Sequence, residues 1–178
     1  MREVCNKVSE YLNSVGYKSR VVTLPGDRPF LAVDDNTAVV LGKTLSLDLP
    51  LASAVSSRYG DYVVIQDSVL KENLLDTNDL IYIWEHENAH IQLGHLNTDN
   101  RDLEREEIWA DITAVRNTNM DYDAILGIKF TMLDIAAEYE YSPRDNISET
   151  KNGIKKSIDA VFDIIDGDGY ANAVSRYA

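Results

Sequence analysis

Cysteine is almost missing from this sequence. Cys5 is the single cysteine among 178 residues, so the chain cannot form an internal disulfide bond. A lone thiol is typical of proteins that fold in a reducing compartment. Long apolar runs are missing as well: residues 1–17 contain no apolar core of the kind that a secretion signal requires, and no stretch is long enough to cross a bilayer. The sequence therefore predicts a cytoplasmic protein without a signal peptide or a transmembrane segment.

Basic residues are outnumbered by acidic ones. The chain has 17 Lys and Arg against 30 Asp and Glu, which gives a net charge of −13. A surface this acidic repels phosphate backbones, so direct binding of nucleic acid is not expected. Hydrophobic residues make up 44% of the chain, which is enough for one globular domain to bury a core without disulfides.

Histidine is scarce, and its placement is informative. All three histidines, His86, His90 and His95, lie in the segment 84–95, and the first two belong to an H-E-x-x-H motif. Residues four apart on a helix differ by about 40° around its axis, so both imidazoles project from one face and can bind one metal ion. Glu87 lies beside them, where it can hydrogen-bond a metal-bound water without being a ligand.

Two histidines do not complete a catalytic zinc site, which normally takes three protein ligands and one water. His95 is a poor third ligand, because on a continued helix it would point about 180° away from His86. It could turn back only if Gly94 ended the helix. The three-histidine motif H-E-x-x-H-x-x-G-x-x-H does not fit either, since Leu93 occupies the glycine position and Leu96 the last histidine position.

Glu107 is the better third ligand, and Glu104 ranks second. Glu107 and Asp111 belong to an E-x-x-A-D sequence and lie four apart, on one face of a predicted helix. From there Glu107 can reach the metal, while Asp111 accepts the free ring N–H of a ligand histidine and so fixes its tautomer. Ala110 leaves room for the two helices to approach closely. Glu104 shares this face, whereas Glu106 does not.

The order of predicted elements is a helix, then strands, then helices. This order predicts an α+β fold in which a short mixed or antiparallel sheet packs on the helix that carries the motif. We expect residues 1–120 to form the core and residues 121–178 to form a C-terminal helical region of the same domain. The segment 45–57 is ambiguous and could be a loop followed by a short helix after Pro50. A strand is predicted at 62–66, and helices are predicted near 3–15, 79–93, 103–118, 121–139 and 146–165.

The combination of H-E-x-x-H with E-x-x-A-D on the next helix resembles the gluzincins, a class of zinc metallopeptidases. The strand 62–66 and the predicted short helix after it make residues 60–116 similar to the minimal gluzincins and to intracellular peptidases of the ImmA/IrrE type. The resemblance implies a zincin-like domain that binds one Zn²⁺ per chain. It implies that the metal ligands are His86, His90 and Glu107, with Glu87 as the general base.

The resemblance also implies where a substrate would lie. In such families an extended peptide adds as a further strand to the strand before the motif helix. Thermolysin-like enzymes stabilise the oxyanion with a further histidine, and His95 is the only one this chain has outside the motif. Tyr139 and Tyr141 are the other candidates, by position alone. The substrate-binding edge would consist of Val63, Val64, Ile65 and Gln66.

The resulting hypothesis is a zinc-dependent endopeptidase, a hydrolase that cleaves peptide bonds with a metal-activated water and with Glu87 as general base. The partner of such an enzyme would be a protein or peptide substrate. The enzyme could also be a peptidase that cuts one specific protein. The alternative is a non-enzymatic zinc module, in which the metal holds two helices together and the N-terminal part recognises a protein partner.

Overall fold

A computed structural model describes residues 2–24, 28–33, 37–42, 50–57, 60–66, 69, 74–97, 102–138 and 146–167. The fold is α+β with a helical C-terminal part, as predicted. The strands are β1 (Ser19–Leu24), β2 (Arg28–Val33), β3 (Thr37–Gly42), β4 (Ala52–Ser57) and β5 (Gly60–Gln66). The helices are α1 (Arg2–Ser14), α2 (Thr77–Gln92), α3 (Leu103–Thr118), α4 (Tyr122–Glu138) and α5 (Ile147–Asp166).

The strands form two sheets. β1 and β2 pair antiparallel, and the other sheet has the order β3-β5-β4, with β3 parallel and β4 antiparallel to β5. β4 falls in the segment that the sequence left ambiguous. Its partner β5 was predicted as a strand, but the pattern of one strand does not reveal its neighbours.

The strand order corrects the predicted substrate-binding edge. Val63, Val64, Ile65 and Gln66 lie in β5, which is the central strand of its sheet. Both sides of its backbone are paired, with β3 on one side and β4 on the other, so a peptide cannot add there. Among the described residues, β4 is the outer strand on the side of α2.

Local side-chain contacts fix the start of α2. The Asp76 side chain accepts hydrogen bonds from the backbone N–H groups of Asn78 and Asp79, and the Asp79 side chain accepts one from the N–H of Asp76. This reciprocal arrangement is a capping box, which satisfies N–H groups that the first helical turn leaves without partners. The motif therefore lies in the second half of a helix whose start is defined by its own sequence.

The core places α2 between the sheet and α3. Leu80 and Trp84 of α2, Val63 and Ile65 of β5, and Ile112 of α3 are all buried. Burying one leucine or isoleucine side chain stabilises a fold by roughly 1.5–3 kcal/mol. These contacts hold α2 against both neighbours, so the polar side chains of the motif are fixed at the edge of an apolar core.

The C-terminal helices pack on this unit. α5 contacts both α3 and α4, with Ile158 and Val161 fully buried. Among the described residues, none of the helices has both the length and the apolar character that crossing a membrane requires. The short helix predicted after β5 lies largely outside the described residues.

Candidate metal centre

The centre forms where α2 and α3 pack side by side. Ala89 of α2 and Ala110 and Ala114 of α3 are completely buried. Their small side chains let the helices approach closely, as expected for Ala110. This approach brings the side chains of the two motifs together, although the motifs lie on different helices.

The side chains of His86, His90 and Glu107 form a triangle between the two helices. The Nε2 atoms of His86 and His90 are 3.3 Å apart. Glu107 places one carboxylate oxygen 3.3 Å from Nε2 of His86 and the other 3.4 Å from Nε2 of His90. The structure therefore brings together the three residues that the sequence singled out as ligands.

The spacing of this triangle fits a metal ion. Tetrahedral zinc binds histidine nitrogen at about 2.0–2.1 Å, which places neighbouring ligand atoms about 3.3–3.4 Å apart. The three residues thus form a group that could hold a metal ion through two nitrogens and one carboxylate. Glu104, the second-ranked ligand, is exposed in the first turn of α3 and belongs to neither of the possible metal-binding groups among the described residues.

Comparisons with protein-family models, with curated proteins and with solved structures found no match to this chain. The assignment of roles at the centre therefore depends on the geometry and chemistry of its own residues.

Asp111 anchors the centre from behind His86. Its carboxylate is completely buried, and its Oδ1 atom lies 2.6 Å from Nδ1 of His86. The same oxygen accepts a hydrogen bond from the Tyr82 hydroxyl at 2.7 Å and lies 2.8 Å from Nζ of Lys129. The other oxygen, Oδ2, is buried without a hydrogen-bond partner among the described residues. Asp111 thus occupies the position predicted for the acceptor of a ligand ring N–H.

The pKa values of the ligands reflect this arrangement. Burial and Lys129 lower the pKa of His86. Asp111 and Glu107 raise it by more than this, so the net pKa is about 9, above the ordinary value of 6.5. Burial and the neighbouring His86 lower the pKa of His90 to about 4, so its ring is neutral near pH 7. Burial raises the pKa of Glu107, but the hydrogen bond and charge of His86 outweigh it and lower the pKa overall. Binding of a metal ion would therefore displace a proton from His86, whereas His90 and Glu107 would already be deprotonated.

Glu87 lies next to the ligands but outside their triangle. Burial raises the pKa of its carboxyl group, and the negative charge of Glu107 adds to this rise. His86, Lys129 and a backbone hydrogen bond from Ala54 in β4 favour the ionised form and limit the rise. A carboxylate with a raised pKa is suited to take up and release a proton near neutral pH.

A cavity of about 480 Å³ opens beside His86 and Glu87. The other polar side chains in its lining are Tyr82 and Lys129. Most of its wall is apolar and comes from the start of β4, from α2 and from the helices α4 and α5. The apolar lining includes Leu51, Ile83, Ile128, Met132, Leu133 and Ile154.

His95 lies behind the second ligand. It follows Gly94 in a short 3₁₀ turn, His95–Asn97, and its Nδ1 atom is 3.0 Å from Nδ1 of His90. This contact involves Nδ1 of His90, whereas Nε2 of the same ring faces His86 and Glu107. His90, His95 and the buried Glu106 form the other group of possible metal ligands among the described residues. The helical spacing predicts that Glu106 does not share the face of Glu107, and in the structure Glu106 belongs to this second group instead.

The sequence missed two participants, Tyr82 and Lys129. Tyr82 lies four residues before His86, so helical spacing places it on the ligand face. Lys129 is a lone charge in the apolar stretch 124–133, and such a residue usually has a buried or functional partner. Tyr139 and Tyr141, which were candidates for oxyanion stabilisation, lie outside the described residues.

Proposed function

We propose that this chain is a zinc-dependent endopeptidase acting on a protein or peptide substrate. The observation that carries the proposal is the triangle of His86, His90 and Glu107, with Glu87 beside it at the mouth of a cavity. Two imidazoles and one carboxylate are a common ligand set of catalytic zinc, and an adjacent free carboxylate is what water activation requires.

The number of ligands favours catalysis over the non-enzymatic zinc module. A structural zinc site is usually closed by four protein ligands, whereas a catalytic site keeps one position open. Among the described residues the triangle gathers three ligand atoms, and the cavity beside His86 gives a substrate access to the remaining position.

Each residue of the centre would have a separate task. Zinc bound here would supply a Lewis acid and would lower the pKa of a water toward ~7. Glu87 takes the proton of the attacking water and passes it to the leaving amine. Asp111 holds the ring of His86 in the tautomer whose Nε2 faces the metal position. Lys129 lines the cavity and supports this arrangement through its ion pair with Asp111.

β4 and the cavity suggest how a peptide would bind. β4 runs past the general base, since the backbone of Ala54 forms a hydrogen bond with Glu87. Among the described residues, the side of β4 that faces away from β5 has no strand partner. An extended peptide paired with that side would pass the centre with alternate side chains facing the protein. The apolar wall of the cavity favours a large apolar side chain next to the scissile bond.

The test compares Glu87→Gln with wild-type protein on a diverse peptide library, with cleavage read by mass spectrometry and zinc content by elemental analysis. We expect the variant to keep zinc and to lose at least about 10²-fold in hydrolysis, because only the general base is removed. Glu104→Gln is the matched control, since it makes the same change at an exposed glutamate of α3.

Cleavage by Glu87→Gln at the wild-type rate would rule out the assigned role of Glu87. If the wild-type protein binds zinc tightly and cleaves neither the library nor intact protein substrates, the non-enzymatic module is the better description. In that case chelation should unfold the protein, because the metal would be structural.

A further inference from the structure

The chain turns back sharply at the end of α2. Leu93 donates its backbone N–H to Ala89 at 2.9 Å, and Gly94 donates to Ile91 at 3.1 Å. Gly94 has a φ of 75°, in the left-handed region that favours glycine. On a continued helix His95 would point away from His86, but this turn returns it to the side of His90.

The contact between the two rings has a clear chemical consequence. His90 can bind a metal through Nε2 only if that nitrogen carries no proton, so its neutral ring carries the proton on Nδ1. That N–H is buried with its ring and needs an acceptor. Nδ1 of His95, 3.0 Å away, can accept it when His95 is neutral with its proton on Nε2.

We propose that His95 is a positioning residue for the metal ligand His90, as Asp111 is for His86. This inference depends on the proposed metal site, but it does not depend on peptide hydrolysis. The Nδ1 contact fixes the tautomer and the ring plane of His90, so that Nε2 points at the metal position. The two ligand histidines thus have different partners, a carboxylate behind His86 and an imidazole behind His90.

The difference between these partners affects the charge of the centre. A bound Zn²⁺ would be balanced by the carboxylates of Glu107 and Asp111, and Lys129 offsets part of the charge of Asp111. A carboxylate in place of His95 would add a further negative charge next to His90. An imidazole acceptor carries no negative charge, so it orients His90 without that addition.

A second metal ion, held by His90, His95 and Glu106, is the competing explanation of the same contact. It would require His90 to lose both ring protons and to bridge two ions. The inference therefore predicts one zinc per chain, whereas the competing explanation predicts two.

The experiment measures zinc affinity by competition with a chromophoric chelator in His95→Ala, His95→Asn and His95→Gln. Asn places an amide oxygen at the position of Nδ1, whereas Gln places its amide at the position of Nε2. We expect His95→Ala and His95→Gln to weaken zinc binding about 10- to 100-fold, and His95→Asn to stay within about 3-fold of wild type. The melting temperatures of the metal-free variants should match that of wild type.

Three results would overturn the inference. Unchanged affinity in His95→Ala would show that the contact does not support His90. Equal losses in all three variants, together with lower metal-free melting temperatures, would show a general structural role. Two zinc ions in wild type and one in His95→Ala would make His95 a ligand. A protein that binds zinc and shows the Ala–Asn difference but cleaves nothing would contradict only the proposed peptidase function.

Discussion

Nζ of Lys129 lies 2.8 Å from the Asp111 oxygen that also contacts Nδ1 of His86. One buried carboxylate oxygen therefore links α4 to a metal-ligand candidate on α2. Tyr82 donates to the same oxygen, so Asp111 is held from three sides. Burial would raise the pKa of Asp111, but Lys129 and His86 hold it well below its usual range. Asp111 is therefore an anion near neutral pH.

Replacing Asp111 with Asn should weaken zinc binding about 10- to 100-fold. The amide keeps the shape of the side chain but lacks the charge that supports His86. Chelator competition measures the affinity. Asp134→Asn is the matched control, because Asp134 is an exposed residue of α4 whose partner is Lys151. Equal zinc affinities in the two variants would contradict the role given to Asp111.

Replacing Lys129 with Met should destabilise the metal-free protein by about 1.5–3 kcal/mol, the usual contribution of a hydrogen bond to a charged group. Asp111 would remain buried with one fewer donor. Urea unfolding measures the change. Lys151→Met removes the corresponding exposed pair with Asp134 and should cost less than about 1 kcal/mol. If the free energy of unfolding falls equally in both lysine variants, the ion pair of Lys129 with Asp111 stabilises the protein no more than an exposed pair does.

The metal-free protein should become less stable as the pH rises from 6.5 to 9. The native state holds the proton of His86 with a pKa of about 9, against an ordinary value of 6.5. The stabilisation is therefore complete below pH 6.5 and is lost as the pH rises through 9. Zinc affinity should change in the opposite direction over the same range, because zinc displaces this proton.

Urea midpoints of chelator-treated protein between pH 6.5 and 9.5 measure this loss. In Asp111→Asn the urea midpoint should fall less as the pH rises, since Asp111 is the largest influence that raises the pKa of His86. A midpoint that stays constant or rises with pH in the wild type would contradict the assigned protonation state.

Cys5 should resist thiol reagents in the native protein. Its side chain is completely buried in α1, and burial raises the pKa of the thiol, so little reactive thiolate forms. A chromogenic disulfide reagent should label it only when denaturant is added. Rapid labelling of the folded protein at pH 8 would show that α1 detaches from the core.

Features set by local sequence were predicted well. α3 runs from Leu103 to Thr118, the range predicted for it, and α2 (Thr77–Gln92) lies within two residues of the predicted range 79–93. Helical spacing also placed the ligand pairs on common faces. Each of these features depends on residues a few positions apart, which the sequence displays directly.

Features that depend on the pairing of strands and the docking of helices were not predicted. β4 consists of Ala52, Val55 and small or polar residues, so it has little strand character of its own and forms because it pairs with β5. The central position of β5 depends on β3, which joins it across a long connection. Lys129 reaches Asp111 only through the docking of α4. The motifs thus identified the metal-ligand candidates, while the surroundings of these candidates required the tertiary structure.

The three metal-ligand candidates all come from α2 and α3, which follow each other along the chain. The loop to be closed between His90 and Glu107 is short, so bringing the ligands together costs little chain entropy. Among the described strand pairs, only β3 and β5 join residues farther apart along the chain, such as Thr37 and Asp61, and pairing over a longer separation slows folding. Metal binding would therefore act on a local step, the joining of α2 to α3. A metal ion present while the chain folds would stabilise this pair of helices, in addition to loading the finished centre.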